Sequence, residues 1–316
     1  MSVVTAAAPR SVAGVVRDYV SLLKLRIVAL LDATAIGVMF PASHGHPQLV
    51  AVLAVLAGGT LAAGGAHAIN CWFDRDIDAE MSRTRRRPLP AGRIPPWYAL
   101  VIGIGLNVLA FAVLWAGANL LAAGLALAGT LIYVFVYTIW LKRATTQNIV
   151  IGGAAGAVPP LVGWAAATGH LDLTALALFG VIFFWTPPHF WALAQVIKVD
   201  YARANIPMLP AVGGERSAKR QSVVYAALAA AVSVVPFFTG SAGSIYLAGA
   251  LVLGVGLVGI TVLDLASGVP ANSGRAASRV LGVRGENRRW TRRVFTYSIS
   301  YVALLFTLLA VSPFLP

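Results

Sequence analysis

The chain has 316 residues, 59% of them hydrophobic and 11% charged, with a mean hydropathy of +0.80. These values exclude a soluble domain and indicate an integral membrane protein. A single cysteine, Cys71, excludes an intramolecular disulfide and fits no thiolate metal site. The net charge of +13 is explained by loop charge bias, so no nucleic-acid partner is expected.

Residues 1–18, with Arg10 and Arg17 as their basic residues, read as a cytoplasmic tail without a cleavage signal or transit-peptide character. Residues 19–316 then read as a single transmembrane domain. Apolar runs able to span a bilayer fall at about 20–40, 48–69, 97–116, 119–141, 148–167, 173–194, 221–240, 244–265 and 294–312. The pattern predicts an all-α, polytopic membrane protein of about nine transmembrane helices. All 24 Lys and Arg fall in the N-terminal tail and first-helix start, 71–96, 142–147, 195–220 and 267–293. The intervening connections have none. Positive residues stay inside, so the N-terminus and every long loop read as cytoplasmic. The expected location is a bacterial inner membrane, with the functional face on the cytoplasmic side.

The first long loop, 70–96, opens on an acidic stretch. Four of the chain's 11 acids (Asp74, Asp76, Asp78 and Glu80) lie within seven positions. Asn70, Asp74 and Asp78 are spaced i, i+4, i+8, and each step drifts only roughly 40° around a helix, so they form one stripe. Asp76 and Glu80 point elsewhere. One amide and two carboxylates make a hard oxygen site suited to Mg²⁺, and Arg83 and Arg87 suit a phosphate held by it. A solvated charged loop at a helix end is the plain alternative.

Further along, Lys142 and Arg143 precede Asn148 and a helix rich in small residues from Gly152 to Ala157, which permits close helix packing. Pro159-Pro160 and Pro187-Pro188 are expected to bend their helices, either around a cavity or as ordinary kinks. His189 lies in an apolar aromatic helix, as a ligand-touching or a satisfied structural residue. The second long loop, 195–220, places Asp200 between Lys198 and Arg203, as a further metal ligand or the partner of those cations. His67 carries less weight. Segment 267–293 reads as a flexible basic loop near anionic lipid head groups.

The pattern Asn70-x3-Asp74-x3-Asp78, followed by Arg83-Thr84-x2-Arg87-Pro88, resembles the first aspartate-rich motif of the UbiA-type intramembrane prenyltransferases. The fuller wording includes Asp74-Arg-Asp-Ile-Asp78, Tyr137-Thr138, Asn148-x3-Gly152-Gly, Pro188-His-Phe190 and Asp200-Tyr201-x3-Asn205-Ile-Pro. It resembles the branch of that family that farnesylates haem, over about residues 18–312. The resemblance implies a ring of helices around a central cavity, open sideways to membrane lipid. It implies haem B and farnesyl diphosphate as substrates, Mg²⁺ as cofactor, and haem O and pyrophosphate as products. It implies that Asn70, Asp74, Asp78 and Asp200 hold the metal, and that Arg83, Arg87 and Lys198 meet the diphosphate. His189, Lys142 and Arg143 would face haem, with Tyr137, Asn148 and Tyr201 as further site positions. A haem A synthase or an oxidase assembly factor is the implied protein partner. One departure matters: Ala204 stands four residues after Asp200, where many relatives carry a second aspartate. Two other readings stand beside this one. The first is a prenyltransferase acting on a quinone precursor or another tetrapyrrole. The second is a transporter or haem-binding scaffold.

Overall fold

The structure is a computed structural model that describes residues 11–268 and 283–315, apart from the side chains of 198, 199, 202 and 283–288. Residues 269–282, at the heart of the predicted basic loop, lie outside that range. So do the first ten residues of the predicted tail.

Among the described residues, nine helices are long and apolar enough to cross a bilayer. Helix α1 (Val12–Leu22) is short and capped by Ser11, whose hydroxyl accepts from the Gly14 amide. It was not expected, because its mixed face carries too few apolar residues to register as a span. After it come α2 (Leu25–Ala42), α3 (Leu49–Phe73), the short α4 (Arg75–Glu80), α5 (Pro96–Gly117) and α6 (Leu120–Leu131). Helix α6 runs on through a π-helical stretch, Ile132–Leu141, into α7 (Lys142–Ala144). The second half comprises α8 (Asn148–Thr168), α9 (Leu173–Val196), the short α10 (Lys198–Arg203) and α11 (Leu209–Val212), α12 (Glu215–Ser233), α13 (Val235–Phe238), α14 (Ser244–Ala266) and α15 (Val283–Val311).

The spans agree with the apolar runs except at three starts. The first run, from about residue 20, takes in the end of α1, and α2 begins only at Leu25. Helix α12 begins at Glu215 and α15 at Val283, well before their apolar segments. Glu, Arg, Lys and Gln are good helix formers, so these helices continue past the hydrocarbon boundary, which hydropathy alone marks.

The nine spans pack in a closed order: α3 on α5, α5 on α6, α6 on α8, α8 on α9, α9 on α12, α12 on α14, α14 on α15, α15 on α2, and α2 on α3. The most extensive contacts that cut across this ring are α2 with α8 and α9 with α15. The first depends on Gly163, where any Cβ would overlap the carbonyl oxygen of Ala35. The proline pairs sit inside continuous α8 and α9. Large apolar side chains such as Val108, Phe135, Val252 and Val255 remain exposed around the outside, as lipid contact requires. Because the helices alternate in direction, the ends of α3, α6, α9 and α14 share one end of the bundle with the starts of α2, α5, α8, α12 and α15.

Candidate active site

At that end, α3 stops at Phe73 and Asp74 takes a non-helical turn (φ −85°, ψ 6°) before α4 begins. The predicted stripe survives this break. The Asp74 amide donates to the Asn70 carbonyl (2.9 Å) and the Asp78 amide to the Asp74 carbonyl (2.8 Å), so the i, i+4 geometry is kept. Asn70, Asp74 and Asp78 are 4%, 1% and 4% exposed, whereas Asp76 and Glu80 face outward. The Asn70 amide nitrogen donates to Asp74 Oδ2 (2.7 Å) and to Thr138 Oγ1 (3.1 Å) on the π-helical stretch. Thr138 in turn donates to the Tyr133 carbonyl five residues back (2.8 Å). Such π geometry is rare and tends to fall at functional sites.

Cations close around these acids. Lys142 Nζ bonds Asp74 Oδ2, and Arg87 donates to Asp78 Oδ2 (2.7 Å). Arg143 clasps Asp76 with two bonds (2.7 and 2.8 Å) and lies over the Phe73 ring. The hydrogen bond from Arg143 lowers the Asp76 carboxyl to about 2. Lys142 and Arg143, assigned to haem from sequence, therefore rest against the acidic stretch. Arg83 is exposed and has no ion-pair partner among the described residues.

Lys24 was missed in the sequence. It sits between α1 and α2 in a left-handed backbone conformation (φ 51°), and its Nζ reaches Asn70 Oδ1 at 3.0 Å. Burial is the main cause that lowers its pKa. Counting charges at the start of the first span gave no sign that one of them turns inward.

The second loop joins the first through an apolar cluster that includes Ile77, Met81, Tyr201, Ile206 and Met208. This brings Asp200 beside Ser82, whose hydroxyl lies 2.8 and 2.9 Å from its two carboxylate oxygens. Ser82 is a second position the sequence did not flag. Tyr201 is buried, which pushes its phenol up to about 12. Lys198 opens α10, but its side chain lies outside the described residues. Tyr137 stacks on Tyr133 (5.6 Å) and fills the space that a Cβ at Gly152 would need. Asn148 is fully buried and donates to the Lys142 carbonyl (3.3 Å).

His189 stands apart from the acids. Its ring is stacked between Trp185 (4.3 Å) and Phe295 (4.8 Å), and its Nδ1 meets Ser298 Oγ at 2.8 Å. Only Nε2 remains for a ligand. His67 is buried against Tyr133, Nδ1 to hydroxyl 3.2 Å.

Among the described residues, no three His, Cys, Asp or Glu side chains converge as a dedicated metal cage. Mg²⁺ beside a phosphate needs less: one or two carboxylates, with phosphate and water completing the shell. Asp74 Oδ1 fits that requirement, because it is buried without a hydrogen-bond partner, with Arg143 at 3.8 Å. Asn70 and Asp78 lie one turn to either side. The donor set is therefore compatible with a hard divalent cation and a polyanion.

Fold and site together define a polytopic membrane protein with buried acids and surrounding cations at one end. The chain belongs to the UbiA prenyltransferase family, whose family model matches residues 31–281. A protoheme IX farnesyltransferase of Gloeobacter violaceus is 49% identical, over 93% of this chain and 91% of that protein. The enzyme of the same name from Symbiobacterium thermophilum is 48% identical, over 92% of each chain. A Roseiflexus sp. protein of that name, also 48% identical, is longer, and the match spans 52% of it. Solved structures share the fold. A study of digeranylgeranylglyceryl phosphate synthase gives a TM-score of 0.75 at 16% identity, covering 95% of this chain and 98% of that one. A UbiA homologue from Archaeoglobus fulgidus bound to DMAPP and Mg²⁺ gives 0.65 at 16% identity, covering 91% and 99%.

Proposed function

We propose that this chain transfers a farnesyl group from farnesyl diphosphate to a vinyl group of haem B, with addition of water, giving haem O and pyrophosphate. The relatives of that activity, 48–49% identical along nearly the whole chain, support the reaction. The observation that supports the site is the buried Asn70–Asp74–Asp78 stripe, ringed by cations, with an Asp74 oxygen that accepts no hydrogen bond.

Asn70, Asp74 and Asp78 would hold Mg²⁺, with Asp200 contributing from the second loop. When bound, the metal supplies charge neutralisation of the diphosphate leaving group. Arg83 is free to meet the diphosphate, and Arg87 and Lys198 lie within its loops. Each positive group stabilises the charge that grows on the departing oxygen. The C1–oxygen bond breaks to leave an allylic cation. Tyr133 and Tyr137 present stacked aromatic faces near the acids, suited to a passing cation. The haem vinyl carbon bonds C1, water captures the resulting cation beside the porphyrin, and a proton leaves.

His189 would offer Nε2 to the haem iron, its ring fixed by Ser298. Lys142 and Arg143 would reach haem propionates only by exchanging their present carboxylate partners. The farnesyl chain would lie among the spans, entering from membrane lipid, with the charged end facing the cytoplasm of a bacterial cell. A haem A synthase or oxidase assembly factor is a partner of this reading, since the product is itself membrane-bound.

The test is pyrophosphate release from farnesyl diphosphate in Asp74→Asn and Asp78→Asn enzymes that retain the wild-type unfolding temperature. A drop of at least about a hundredfold is expected. Wild-type rates in both would remove the metal assignment.

A further inference from the structure

We propose that the cleft between the start of α12 and the end of α14 is a binding site for the head group of an anionic phospholipid. The cleft is open to solvent on one side and is lined by Arg216, Arg220, Val262, Leu265, Ala266 and Gly268. Arg216 and Arg220 are one helical turn apart, so both guanidinium groups leave the same face of α12. Like charges in that register repel each other. Both side chains are exposed, and neither forms an ion pair with any described residue. A phosphate between them would relieve the repulsion and accept from both forks.

The rest of the cleft matches a lipid rather than a soluble phosphate. Val262, Leu265 and Ala266 form an apolar wall, and Val262 (44% exposed) continues along α14 to Val255 (72%) and Val252 (72%). That strip faces outward and provides a bed for an acyl chain while the head group stays at the bundle end. The floor is held rigid from behind. Lys219, turned inward on the adjoining buried face of α12, donates to Asp264 Oδ1 (2.9 Å) and to the Asp264 carbonyl (3.0 Å). Thr291 of α15 donates to the same Oδ1 (3.0 Å). This buried tie fixes the three helix ends, so the arginine pair is presented at a set spacing from the apolar wall. Basic pockets between spans at the cytoplasmic surface are the usual form of such sites.

The site is separate from the acidic stripe, so its test needs no turnover. Purified protein is titrated with phosphatidylglycerol or phosphatidylcholine, and retained lipids are counted by native mass spectrometry. The expected result is one phosphatidylglycerol retained in preference to phosphatidylcholine, weakened roughly thirty-fold in R216Q/R220Q. Each single variant should show an intermediate loss, which keeps the test usable if the double variant folds poorly. Inorganic phosphate should not displace the lipid. Equal retention of both lipids, unchanged retention in the single and double variants, or displacement by inorganic phosphate would each overturn the proposal.

Discussion

Asp74 meets two demands with one carboxylate. Oδ2 is shared by Asn70 and Lys142, which keeps a nearly fully buried charge from standing alone, while Oδ1 stays open. Alanine would leave the Asn70 and Lys142 donors with no acceptor, whereas asparagine removes the charge but keeps a carbonyl oxygen for them, so the amide variant separates chemistry from folding better than alanine does. Ser82 tests a subtler point. Its hydroxyl orients Asp200 of the second loop, so Ser82→Ala should raise the Mg²⁺ concentration needed for half-maximal rate by roughly tenfold or more. An unchanged Mg²⁺ dependence would show that Asp200 needs no such orientation. Asp76 gives a pH signature. Arg143 holds the Asp76 carboxyl at about 2, below the ordinary carboxylate range, so the pair stabilises the fold above that range. The contribution is lost as pH falls through 2. The unfolding temperature of Asp76→Asn should lie below that of wild type at neutral pH, and the two should converge in acid. At this scale the stripe of Asn70, Asp74 and Asp78 was legible from spacing, because a four-residue step along a helix dictates a shared face, and Arg83 and Arg87, which lie outside any helix, were legible only as nearby cations. Lys24 and Ser82 were not. Each reaches its partner across a turn or between distant loops, and no local periodicity encodes such a contact.

The helices hold the site through close backbone approaches. Tyr137 lies where Gly152 has no side chain, and α2 crosses α8 where Gly163 has none. Gly152→Ala should displace Tyr137 and destabilise the protein by about 1–3 kcal/mol, with a larger loss of turnover than of stability. Gly163→Ala would set a Cβ against backbone, which cannot rotate away, so its unfolding temperature should fall further than that of Gly152→Ala. The reverse order would contradict the packing described here. Apolar runs located every span because bilayer crossing demands length and hydrophobicity. They did not reveal the π-helical stretch, since Ile132–Leu141 reads as an ordinary apolar helix. Nor did they reveal α1 or the polar starts of α12 and α15. Those depend on capping and packing, which hydropathy does not measure.

For the whole molecule, the connections at one end of the bundle lack Lys and Arg while those at the other end carry the positive charge. The charge bias predicts that single cysteines placed at exposed positions Arg86 and Gly214, in a Cys71→Ala background, react with an impermeant thiol reagent only from the cytoplasmic side. Cysteine at His170 should react only from the opposite side. Labelling in the opposite sense would invert the topology. The closed order of nine spans was legible only as helix count and family resemblance. The cross-contacts that narrow the ring arise from long-range packing at small residues.

Farnesyl transfer to haem at the acidic stripe is tested by supplying membranes that contain this protein with haem B, farnesyl diphosphate and Mg²⁺, and resolving the haem products by mass, with and without chelator. The expected result is a chelator-sensitive product heavier than haem B by one farnesyl group and one water, absent from Asp74→Asn membranes. Unmodified haem, with pyrophosphate released only when a different acceptor is supplied, would contradict it.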